Sequence, residues 1–226
     1  TLYPRMHGDD GWYDFQSEPF DSGAQELYYW SMDRGDLERA PEDDWYRYLD
    51  GQNPLYPIAA LQEDLAYVRE RVEKMRSDTS SPDNRMSDDP NGINPGIVDA
   101  LIRLMLGGLP TGHLGHLLHC RLRYFDPARN RAGIPEDVAA LVNTLSKDEA
   151  SVTLINVNQV EARTVVVQGG AYGEHQVESV TVDGSETPID DTTFTVHLAP
   201  GCGSQITVKT KRYANRPTLV FPWDRS

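Results

Sequence analysis

Cysteine is scarce in this chain of 226 residues: there are two, Cys120 and Cys202. Two thiols cannot form the framework of a disulfide-stapled domain. They either pair or stay as buried thiols, and the buried thiol is the preferred reading. Long hydrophobic runs are missing. Leu104–Leu109 is among the longest, far below the roughly 20 residues of a membrane helix. No signal or transit peptide is visible. Positive charge is also short: 21 Lys and Arg face 35 Asp and Glu, for a net charge of −14. That excludes a general binder of nucleic acid or anionic membrane, because phosphate attraction needs clustered Lys and Arg.

Several chemistries lack their residue patterns. Gly169-Gly170-Ala171-Tyr172-Gly173 follows a strand but leads to another strand, so it does not fit a dinucleotide fingerprint. His113, His116 and His119 stand at three-residue steps ahead of Cys120, but Gly112 and Gly115 weaken a helix there. With no paired Cys-x-x-Cys or His-Glu-x-x-His nearby, they read as loop or packed histidines, and neither a metal nor a cofactor is expected. The acids and amides of Ser77–Asp89 miss the fixed positions of a calcium loop and read as a solvated linker. An N-terminal Thr1 nucleophile would need the head of a buried strand, and Pro4 interrupts it.

What the chain does have is unevenly placed. Residues 1–100 hold 22 acids against 9 bases, and residues 101–226 hold 13 against 12. Twelve of the 20 aromatics lie in residues 1–56. This first stretch reads as irregular, with short helices over Ala24–Met32 (Ser22 as N-cap) and Pro41–Leu49. Ile58–Arg76 is the clearest helix: Ile58, Leu61, Leu65, Val68, Val72 and Met75 recur at steps of three and four residues. Burying six such side chains is worth roughly 9–18 kcal/mol before entropy, so the stripe needs a partner surface. Asn94-Pro95 opens another apolar helix, ended by Gly107-Gly108. A strand is expected over Leu117–Phe125 and a helix over Ile134–Leu145, with Pro135, Glu136 and Asp137 at its start. Beyond Lys147 the period becomes two. Strands are expected at 152–157, 164–168, 176–182, 192–198, 205–210 and 218–221, with a hairpin turn at Asp183-Gly184. The fold class is α+β: an incomplete helical part over residues 1–147 with an aromatic and acidic N-terminal arm, then an antiparallel β-sandwich over 148–226 that recruits strand 117–125.

The stretch from Asn53-Pro54-Leu55-Tyr56-Pro57 through Met105-Leu106-Gly107-Gly108-Leu109, with Leu118-His119-Cys120-Arg121, Arg123-Tyr124-Phe125-Asp126-Pro127 and residues 164–175, resembles the C-terminal region of larger uncharacterised bacterial proteins. These in turn resemble carbohydrate-active enzymes built on an (α/α) barrel with a C-terminal β-sandwich. The resemblance implies an α/α-barrel-like helical part whose remaining helices come from a preceding segment or a partner chain. It carries no catalytic motif.

The residues that suggest chemistry lie in the arm. His7, Trp12, Glu18, Asp21, Glu26, Tyr28 and Trp30 fall within 24 residues. Sugar faces stack on aromatic rings, and paired carboxylates serve glycoside cleavage as acid and as base or nucleophile. Glu18, Asp21 and Glu26 are therefore the candidate catalytic acids, and Trp12, Tyr28, Trp30 and His7 the candidate substrate contacts. The expected function is a segment or subunit of a carbohydrate-active hydrolase or lyase acting on a glycan. The alternative is a non-catalytic assembly or ligand-binding module, whose aromatics anchor the arm to a partner.

Overall fold

The computed structural model describes residues 3–5, 14–16, 21–38, 42–84, 94–110 and 117–225, with side chains described from Gln25 onward. Strands β1 (Tyr3–Arg5) and β2 (Asp14–Gln16) pair as a small antiparallel ribbon. The helices are α1 (Asp21–Ser31), α2 (Arg34–Leu37), α3 (Asp44–Leu49), α4 (Tyr56–Ser77) and α5 (Asp99–Leu106). Ser22 lies inside α1 rather than capping it. Helix α3 starts later than Pro41 because Asp43 is its cap: its carboxylate accepts from Trp45 N at 2.9 Å and Tyr46 N at 3.2 Å. Helix α5 begins at Asp99, not at Pro95, and stops at Gly107, whose φ of 57° is a left-handed cap. A side chain on Gly108 would meet His119 O at 2.5 Å, so the turn out of α5 needs glycine for close backbone approach.

The β module has strands β3 (Leu122–Asp126), β4 (Arg131–Ala132), β5 (Val138–Leu145), β6 (Glu149–Asn156), β7 (Arg163–Gly169), β8 (Gln176–Val182), β9 (Ser185–Asp191), β10 (Thr193–Leu198) and β11 (Gly203–Lys211). They form two antiparallel sheets, β10-β7-β3-β4 and β5-β6-β11-β8-β9. Their inward faces meet in one core: Leu122, Tyr124, Val165, Val167 and Phe194 against Val142, Val152, Leu154, Val177, Ile206 and Val208. A two-sheet sandwich is thus present, and β3 falls where a strand was expected. The boundary drawn at residue 147 lies in the connection between β5 and β6, which pair from Val138↔Asn156 to Leu145↔Ala150.

Two expectations are corrected, and one strand is added. Residues 134–145 are not a helix, since Val138–Leu145 is strand β5. Val138, Ala140 and Val142 enter the sandwich core, while Leu141 packs against the cluster of Ala60, Ala100 and Leu104, and Leu145 lies against the aromatic helices. Leu141 and Leu145 are partly covered by the helices, so apolar residues occur on both faces of the strand and imitate a helical stripe. Asp137 sits at φ 63°, which no first helical turn allows. Residues 218–221 form no strand. They run as an irregular tail into a short 3₁₀ turn, Pro222–Asp224. Strand β9 lies after the Asp183-Gly184 turn (φ 50° and 79°) and escaped notice because it is a polar, mostly exposed edge strand.

Candidate functional site

The helices meet the sandwich through an aromatic cluster. Tyr28, Tyr29, Trp45 and Tyr46 are buried together, with Tyr28 and Tyr46 edge-on at 4.9 Å. Tyr29 OH donates to Gly107 O at 2.9 Å, and Tyr124 OH to Met105 O at 2.7 Å, fixing the end of α5 from both sides. Burial pushes the hydroxyls of Tyr29, Tyr46 and Tyr124 well above the ordinary tyrosine range, so they act as permanent donors.

Beside this cluster, α1, α4 and α5 frame a cleft of about 460 Å³. Glu26 from α1, Glu63 and Asp64 from α4, and Asp99 from α5 line it, with Tyr56 and Tyr67 as aromatic walls. Its cation is Arg103. The guanidinium lies over the Trp45 ring at 5.5 Å, and Nη1 donates to Asp43 Oδ2 and Tyr56 OH, both at 3.4 Å. Burial works against the Arg103 charge, while Tyr56 and Asp43 hold it in place and keep its pKa raised. Asp43 also accepts from Gln25 Nε2 at 3.3 Å, so one carboxylate ties α1, α3 and α5 together. Asp64 Oδ2 accepts from Ala100 N at 3.2 Å, satisfying an orphan donor in the first turn of α5 that has no cap side chain of its own. Arg103 Nε and Trp45 Nε1 have no hydrogen-bond partner among the described residues.

The predicted site residues separate. Glu26 is exposed and lines the cleft. Asp21 is the first residue of α1, and its side chain lies outside the described ones. Glu18, His7 and Trp12 lie outside the described residues. Tyr28 is buried in the aromatic cluster, not on the cleft wall. Trp30 packs edge-on to His119 at 4.4 Å and stacks on Tyr213 at 5.7 Å, while Arg212 donates to Trp30 O at 2.8 Å. These contacts join α1 to the sandwich. Among the described residues no group of three His, Cys, Asp or Glu is placed to hold a metal ion. His113 and His116 lie outside the described residues. Cys120 is buried, which pushes its thiol up, and Cys202 is exposed; both are free thiols. Sequence reasoning missed Glu63, Asp64, Asp99 and Arg103 as cleft residues, because each looks like the solvated face of an ordinary helix until α4 and α5 are brought together.

A second feature lies on α4 itself. Its inward side carries the buried Ala60 and the half-buried Asp64, Tyr67 and Arg71. Ile58, Leu61, Leu65 and Met75 of the apolar stripe are 59%, 45%, 47% and 45% exposed.

Residues 38–102 match a family described as a domain of unknown function (DUF8034). The match spans α3, α4 and the first turn of α5, and so most of the cleft wall, but not the sandwich. No curated protein and no solved structure matches the chain.

Proposed function

We propose that the chain works as an assembly or binding module, with α4 as its docking element. The observation that carries this reading is that four of the six apolar side chains in the stripe of α4, Ile58, Leu61, Leu65 and Met75, are exposed. Large apolar side chains on one helix face, left in water, are the mark of an interaction surface. The polar residues on the inward side of α4 show that the helix is seated on the body by one face and presents another. Truncation of Leu65 to Ala tests this in dilute solution. A docking residue changes the unfolding free energy by less than about 0.5 kcal/mol, whereas a residue buried in its own core costs about 2–5 kcal/mol. The larger loss would refute the reading.

A second reading rests on the cleft. Four carboxylates around tyrosine walls suit a hydroxyl-rich or cationic ligand. With Glu26 as acid or base, they suit a component of a carbohydrate-active hydrolase or lyase. On that reading α1, α3, α4 and α5 belong to an α/α-barrel-like body completed by helices of a partner chain or a preceding segment. Glu18 and Asp21 would join Glu26 as the acids, and Trp12, Tyr28, Trp30 and His7 would contact the sugar. Turnover on a glycan panel, with Glu18→Gln, Asp21→Asn and Glu26→Gln assayed singly, tests it. Equal activity in all three variants and the parent would remove these roles.

A further inference from the structure

The stripe on α4 alternates steps of three and four without a break from Ile58 to Met75. That is a repeat of 3.5 residues, the seam of a two-helix coiled coil, over a helix about 33 Å long at 1.5 Å per residue. The seam lies beside the inward face: Ala60 is buried against α5, Asp64 bonds Ala100 N, and Val68 and Val72 of the seam are half-buried.

We propose that a second copy of this chain covers the seam, with the two α4 helices antiparallel about a two-fold axis between Ala66 and Tyr67. The inference rests on the assembly reading and names its partner. In this register Ile58 faces Met75 of the second copy, Leu61 faces Val72, and Leu65 faces Val68. Each layer occurs twice and no seam residue is left over, as an isologous contact requires. Charge selects the orientation. Residues flanking an antiparallel seam meet their own kind of position: Asp64 meets Arg71 of the second copy, twice, and Gln62 meets Arg69. A parallel pair brings Asp64 to Arg69 but sets Arg71 against Arg76, so each attraction is matched by a repulsion.

The test uses the full chain with Cys202→Ser, which removes the exposed thiol. Sedimentation equilibrium at micromolar concentration is expected to give twice the monomer mass, and Leu65→Glu to return the mass to that of the monomer. Chains carrying Leu61→Cys or Val72→Cys, with Cys120 left buried as the other thiol, are then oxidised alone and mixed. A disulfide needs Cα atoms within roughly 7 Å, and the two Leu61 positions of the antiparallel pair lie about 16 Å apart along the axis, so only the mixture cross-links. Cross-linking of Leu61→Cys with itself overturns the proposal in favour of a parallel pair, and a dimer indifferent to Leu65→Glu overturns it too. A monomer whose binding of the dye anilinonaphthalene sulfonate falls several-fold in Leu65→Glu overturns self-pairing while leaving the assembly reading standing. A monomer with no dye signal and an unfolding midpoint lowered by Leu65→Glu removes both.

Discussion

His175 is 2% exposed, with Nδ1 accepting from Tyr213 N at 3.2 Å and its ring edge-on to Tyr213. Burial first, then the neighbouring guanidinium groups of Arg121 and Arg212, lower its pKa from 6.5 to about 4, against a small opposing effect of the Glu174 backbone. The native state therefore holds His175 neutral, and the unfolded chain binds the proton more tightly. Between pH 6.5 and 4 the unfolded state carries more protons, so stability is full above pH 6.5 and falls as the pH drops. The full shift is worth about 3 kcal/mol, of which about 2 kcal/mol is lost between pH 7 and pH 5. Carboxylates titrate in the same range, so the measurement is a difference. Urea unfolding of the parent and of His175→Gln, whose side-chain oxygen can still accept from Tyr213 N, is compared at both pH values. The parent is expected to lose about 2 kcal/mol more than the variant on acidification. An equal loss in both would show that the imidazole is not held neutral by its surroundings, and the reasoning would fail.

Asn156 is fully buried and its amide donates to the carbonyls of Glu161, Leu198 and Ala199. Asn156→Leu takes the amide donor from the carbonyls of Glu161 and Leu198, while Ala199 O keeps Cys202 N, and should cost about 2–3 kcal/mol by denaturant unfolding. Gly170, at φ 81°, has the Glu174 carboxyl where a side chain would go, within 2.4–2.5 Å of a built Cβ. Gly170→Ala should lower stability by about 1–3 kcal/mol, and a thermal midpoint unchanged within error would contradict the crowding. Asp43→Ala removes the cap of α3 and the carboxylate beside Arg103, with an expected loss of about 1–2 kcal/mol. By contrast, Asp50→Asn breaks the bidentate pair with Arg34, at 2.5 Å on the surface, and should cost under about 1 kcal/mol.

What the sequence made legible was local. The period of α4 is visible because an apolar residue recurs every three or four positions, β10 and β11 because their apolar residues alternate, and β6, β7 and β8 because β-branched residues crowd them. Strand β5 was misread because two different bodies cover its two faces, a fact that belongs to the tertiary structure. The tail at 218–221 was misread because Val220 and Phe221 look like strand residues, whereas Pro217 and Pro222 on either side lack the N–H that a ladder needs. The cleft was illegible for another reason. Asp64 finds Ala100 N across 36 residues, and Arg103 finds Asp43 across 60. No spacing rule joins such pairs. Glu26 was found because acids beside aromatics drew attention to the arm, while Tyr28 and Trp30 show that the same composition also builds packing.

Strand β5 is a party wall. Removing the helices would strip the outer face of a strand whose inner face closes the sandwich, and removing the sandwich would leave α5 without the surface it lies on. The two halves therefore share one melting event: amide exchange in α5 and in β5 should slow and quicken in step, and cutting the chain between them should yield two fragments that fold only when mixed.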